Sequence, residues 1–159
     1  MSLDVPETLG FDLLHFLYVL SVALLVGGST ALGAVTAPTL FRVLDRGAAG
    51  VAFGAILERW DGVAILAASV LVVTTGLRAA AFEDALAARF AAVLIVVVAT
   101  LYSSAWANPI ARTLRKQTRD FDDLPASSSE RREFARYHAR SRAAMGVAVL
   151  AGLVAVWTS

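Results

Sequence analysis

The chain has 159 residues, of which 58% are hydrophobic and only 17% charged. A soluble domain carries nearer one quarter charged residues, so an ordinary water-soluble globule is a poor fit. Cysteine is absent, which excludes disulfides, thiolate metal sites and cysteine nucleophiles, and the net charge of +1 says little, because the charge is segregated rather than excessive.

The first apolar run, residues 13–35, follows Asp4, Glu7 and Asp12. A secretory signal starts with a basic flank and a shorter apolar core, so the run reads as an uncleaved first transmembrane helix. It leaves the apolar region through Ala37-Pro38 into Leu40, Phe41 and Arg42. The second run covers 62–77, with the amphipathic stretch 47–57 as a candidate extension at its start. The third covers 90–107 and leaves through Asn108-Pro109 into a basic segment. The fourth covers 143–157. None of the four contains Asp, Glu, Lys or Arg within these limits, and a span needs about 20 mostly apolar residues. Backbone polar groups in lipid are satisfied only by helices or closed barrels. The runs lack the alternation of barrel strands. The expected fold is therefore all-α: one domain over 1–159, an integral membrane four-helix bundle.

Charge placement sets the expected orientation. Arg78 and Arg89 stand on the side of the termini. The other twelve of the 14 basic residues, Arg42, Arg46, Arg59 and nine between 112 and 142, stand on the opposite side. Loops rich in Lys and Arg remain cytoplasmic, so both termini are expected outside, in a plasma or bacterial inner membrane. The acids Asp4, Glu7, Asp12, Glu83 and Asp84 lie on the terminal side. The longest connection, 116–129, is rich in aspartate and serine and reads as a solvated cytoplasmic loop. Ser127 with Glu130 has the spacing of a capping box. A helix from there to the end of the chain would be roughly 43 Å long and would project from the bilayer.

Small residues recur at helical spacing: Ala23, Gly27, Ala31 and Ala34 in span one; Ala92, Ala99, Ser103 and Ala107 in span three; Ala144, Ala148, Gly152 and Ala155 in span four. Such faces permit close backbone approach in lipid, although an alanine-rich composition produces them too. The two proline exits form a faint internal echo. Two parallel repeats would produce it, and chance recurrence of a proline is sufficient as well.

Candidate chemistry is sparse. Histidine is a common metal and haem ligand, and the two histidines, His15 and His138, fall near opposite faces of a core about 30 Å thick, so only one at a time would serve as a ligand. The rim opposite the termini gathers Arg42, Arg59, Trp60, Asp61, Asn108 and His138. Asp61 is expected to pair with Arg42, Arg59 or Arg140, and the cluster suits an anion or an anionic lipid headgroup. Snorkelling arginines and an interfacial tryptophan explain the same residues as plain anchoring. No carboxylate pair lies within a span, and no phosphate loop, HExxH or GxSxG occurs. The sequence requires no cofactor, and nucleic acid is not an expected partner.

The segment from His15 to Gly27-Gly28, then Ala37-Pro38-Thr39-Leu40-Phe41-Arg42, then Gly50 to Trp60, resembles the transmembrane protein 205-like family, a four-span domain of unknown function. Phe134-Ala135-Arg136-Tyr137-His138, followed by Ser141 and the last span, extends the resemblance over nearly the whole chain. The chain departs from that pattern at Arg59-Trp60, where a Pro-aromatic pair is common, and at Met145, where asparagine is frequent. A weaker likeness connects it with copper-resistance membrane proteins and the four-span protoporphyrinogen oxidase, although the lysine expected early in span one is missing. The resemblance implies a helical membrane domain and little more. The histidines, the proline exits, the polar rim and the matching motifs together leave His15, Pro38, Phe41, Arg42, Trp60, Asp61, Asn108, Pro109, Tyr137 and His138 as candidate functional positions. The expected function is a non-enzymatic module, self-associating into a homo-oligomer, that assists passage or tolerance of a small solute, metal or drug. The alternatives are a haem- or metal-dependent redox protein using His15 and a scaffold whose 131–138 helix docks a partner.

Overall fold

The structure, a computed structural model, describes residues 5–82 and 86–159. Asp4, Glu83 and Asp84 of the acidic terminal flank lie outside the described residues, as does the side chain of Glu7. No strand occurs among the described residues.

Four long rods make the fold. The first consists of α1 (Val5–Thr30), a π turn (Ala31–Thr36) and α2 (Ala37–Val43). The second is α3 (Arg46–Phe82), unbroken over 37 residues. The third consists of α4 (Ala87–Leu101), a second π turn (Tyr102–Ala107) and α5 (Asn108–Gln117). After a short 3-10 turn at Phe121–Asp123 comes the fourth, α6 (Ser129–Trp157). All four are long and apolar enough to cross a membrane. They exceed the charge-free runs because the helices continue through their basic ends; the 47–57 stretch is part of α3.

The two π turns stand in the same register to their prolines. Proline supplies no N–H and its ring crowds the carbonyl four residues back. A wider turn relieves both. The N–H of Ala37 donates five residues back to the Leu32 carbonyl, and that of Asn108 does the same to Ser103. The echo between the proline exits is thus also an echo of backbone shape. Single π turns often sit at functional sites.

Packing runs around a ring: α1 on α3, α3 on α4, α4 on α6 and α6 on α1. The core is built from Tyr18, Val22 and Leu25 of α1, Ala64, Ala68 and Leu71 of α3, Val93 and Val96 of α4, and Ala151 and Ala155 of α6. Tyr18 is fully buried and donates to the Ala155 carbonyl at 2.9 Å. Gly28 and Gly152 permit close approach within the bundle. Gly28 receives the edge of the Trp60 ring, and Gly152 receives Val26; a Cβ at either position would collide with that side chain. The small faces of the third and fourth rods are buried at Ala92, Ala99, Ser103, Ala107, Ala148, Gly152 and Ala155. The face of the first rod is not used this way: Ala23, Gly27, Ala31 and Ala34 are exposed.

Polarity is inverted relative to a soluble bundle. Leu94 is 64% and Leu150 68% exposed, while Thr74, Thr75, Thr100, Ser103, Asn108 and Asp61 are buried. In water that arrangement would be unfavourable on both sides, since exposed apolar area and buried polar groups each cost free energy. In lipid it is the favourable one. Exposed Trp106 and Trp157 lie toward the two ends, separated by about 25 Å along the third rod from Arg89, which holds Thr158, to Trp106. Tryptophan favours both membrane interfaces.

At the terminal end, Arg78 and Arg89 are buried parts of the helices rather than loop residues. The Arg78 guanidinium lies over the rings of Phe11 and Tyr18, 5.2 and 5.0 Å from their centroids. Arg89 donates through Nε to the Thr158 carbonyl at 2.8 Å, tying α4 to the end of α6.

Candidate functional site

At the arginine-rich end a buried polar chain crosses three rods. Asp61 of α3 is 4% exposed and Asn108 at the start of α5 is 4% exposed. The Asn108 amide nitrogen donates to Asp61 Oδ1 at 2.7 Å. Ser141 of α6 donates to Asn108 Oδ1 at 2.6 Å and shares a 2.8 Å hydrogen bond with Ser103 in the second π turn. Arg112, one turn beyond Asn108, forms an ion pair with the other carboxylate oxygen of Asp61. Asp61 is therefore neutralised by Arg112 and not by Arg42, Arg59 or Arg140: Arg112 follows Asn108 by four residues on α5 and shares its face.

The connection after α5 is more packed than its composition suggests. Phe121 is buried, edge-on to Phe134 at 5.1 Å between centroids. The guanidinium groups of Arg115 and Arg131 lie 5.7 and 5.5 Å from the Phe121 ring centroid. Arg115 pairs with Asp122 at 2.7 Å, and Arg131 donates to the carbonyls of Phe121 and Asp122 at 3.4 and 3.2 Å. Ser128, not Ser127, caps α6 by accepting from the Arg131 N–H at 3.3 Å. Position three of the helix is then Arg131, so no reciprocal carboxylate closes a capping box. The first turns of α6 pack on α5 instead of projecting alone.

These elements enclose a chamber of about 470 Å³. Its cationic lining includes Arg46, Arg112, Arg115, Arg131 and Arg142, with His138 among them. Asp61 answers Arg112, Asp122 answers Arg115, and backbone carbonyls answer Arg131. Arg46 and Arg142 form no ion pair among the described residues. A second cavity of about 320 Å³ adjoins the first and shares Phe41, Phe53, Leu57, Asn108, His138 and Arg142 with it. Volumes of this order suit small ligands.

The structure brings Pro38, Phe41, Asp61, Asn108 and His138 of the candidate set to this place. It separates the others. His15 is at the opposite end, stacked on Phe11 at 6.1 Å. Trp60 fills the notch at Gly28. Arg42 is exposed outside the cavities, and Tyr137 lies under the Arg136 guanidinium at 5.5 Å. Pro109 shapes the backbone beside Asn108 without lining either cavity. Ser103, Ser141, Arg46, Arg112 and Arg142 are not among the site residues expected from sequence, where Ser103 reads as part of a small packing face and Ser141 only as part of the family resemblance. The available signal was weak: lone serines near apolar runs, whose partners sit on other helices.

Chemically the site offers donors and positive charge. Its carboxylates are committed, Asp61 to Arg112 and Asn108 and Asp122 to Arg115. Covalent catalysis needs a nucleophile beside a base, and the hydroxyls of Ser103 and Ser141 bond each other and the Asn108 amide oxygen instead. Among the described residues no group of three His, Cys, Asp or Glu side chains is placed to hold a metal ion. No curated protein and no solved structure matches the chain. Residues 20–120 match the model of a domain of unknown function, DUF4149, and the chain belongs to that family.

Proposed function

We propose that this protein is a non-enzymatic membrane module that binds a small solute in the basic double cavity and assists its passage or tolerance. One observation carries the reading: Arg46 and Arg142, which form no ion pair among the described residues, line a chamber whose wall includes Asn108, the middle member of the Asp61–Asn108–Ser141 chain. Surplus positive charge disfavours a metal cation and favours an anion. Resemblance to the transmembrane protein 205-like family supports the same reading. The arginine-rich end faces the cytoplasm on the positive-inside rule, with both termini outside, in a plasma or bacterial inner membrane. The outward small face of the first rod, Ala23, Gly27, Ala31 and Ala34, supports a homo-oligomer packed along it.

The test is binding of inorganic phosphate to protein purified in nanodiscs of uncharged lipid. Saturable binding that weakens in Arg46→Gln and Arg142→Gln is expected. Absence of binding by phosphate and by every other anion tried, together with unchanged solute sensitivity in cells lacking the protein, overturns the reading.

A further inference from the structure

Resting on the proposed function, we infer that the ligand is an anionic amphiphile, a phosphate or carboxylate head on one aliphatic chain, which enters sideways between α2 and α6. Above the first π turn α1 packs on α6; beyond it α2 packs on α3 instead. The first rod thereby leaves the fourth, and the 320 Å³ cavity occupies the gap, walled by Leu32, Gly33 and Pro38 on one side and Met145 on the other. Gly33 is exposed and has open space where a side chain would stand, so the wall toward the surroundings is low there. The inner end of the gap meets Asn108 and Ser141, then Arg142 and His138, and opens into the chamber that holds Arg46.

One route thus runs from an apolar, laterally open crevice to a cationic chamber. A free anion uses only its inner half. An aliphatic chain arriving from the bilayer exchanges one apolar environment for another, so the head alone changes its surroundings, from interface to guanidinium groups. The second π turn supports that inner end, because Ser103 in it holds Ser141. Phosphate and carboxylate heads are both suited to arginine, which offers paired donors to either.

Native mass spectrometry of the protein released from phosphatidylcholine nanodiscs decides the matter, with dodecyl phosphate and inorganic phosphate as probes. Dodecyl phosphate, which reaches the crevice from the bilayer, is expected to be retained at a lower added concentration than inorganic phosphate. Arg142→Gln is expected to weaken retention of both by about tenfold, the effect of losing one charge-assisted hydrogen bond. Gly33→Leu, which adds bulk to the crevice wall at a position where a Cβ meets nothing within 4 Å, is expected to weaken dodecyl phosphate alone. Equal retention of the two probes by the wild-type protein, or a Gly33→Leu variant that treats both as wild type does, overturns the lateral route while leaving the proposed function standing. Retention of neither probe overturns the inference, and the proposed function is then decided by the wider anion series and the cell assay.

Discussion

Arg112→Leu is the most informative single perturbation of this bundle. It removes one partner of a pair whose carboxylate side chain is 5% exposed, while the guanidinium side is 19% exposed. Breaking a buried ion pair by removing one partner typically costs 3–5 kcal/mol, because the remaining charge stays desolvated. Here Asn108 still donates to Asp61, and Arg112 is partly exposed, so the low end applies, about 3 kcal/mol. For a chain of this size that corresponds to a fall in Tm of about 6–12 °C. Asp61→Leu/Arg112→Leu removes both charges and leaves only the Asn108 amide without its acceptor, a cost of about 1 kcal/mol. The double variant is therefore expected to be more stable than Arg112→Leu alone. Thermal unfolding in one detergent, with wild type, both single variants and the double, closes the cycle. Hydrogen bonds between membrane helices average only about 0.6 kcal/mol in such cycles. A coupling of that size would refute the claim that Asp61 is a desolvated charge held by Arg112.

Gly28→Leu is expected to lose about 1–3 kcal/mol by displacing Trp60, whereas Gly76→Leu, which meets nothing within 4 Å, should unfold like wild type in the same assay. Ser141→Ala breaks the link between Asn108 and Ser103 and should cost about 1 kcal/mol, read by chemical denaturation in mild detergent. Arg89→Leu frees the carbonyl of Thr158 and should raise amide hydrogen exchange over the last turn of α6 without altering the arginine-rich end. Because cysteine is absent, Ser127→Cys gives a single reporter. Labelling by a membrane-impermeant maleimide only after the membrane is opened is expected, and labelling of intact cells would invert the proposed orientation.

Much of the architecture was legible in the chain itself. Four apolar runs and their segregated arginines led to an all-helical, membrane-compatible bundle, because lipid tolerates few alternatives to the helix. Proline at positions 38 and 109 marked the places where the first and third rods change shape, since a missing donor is a local property. The limits of the rods were less legible. Arg78 ends an apolar run by composition, yet it is buried in α3 over two aromatic rings, and only neighbouring helices supply such surroundings.

The site was legible as a region and not as a constellation. Asp61, Asn108 and His138 share one end of the bundle in any four-span reading, since helix length alone fixes depth. The choice of Arg112 over Arg42, Arg59 or Arg140 as the partner of Asp61, the outward turn of the Ala23–Gly27 face, and the departure of α2 from α6 depend on how each rod is rotated about its axis. Rotation is decided by contacts such as Trp60 against Gly28 and Ser141 against Asn108. Those contacts join residues far apart in the chain, so periodicity along one helix determines which faces exist, and packing between helices determines which of them meet.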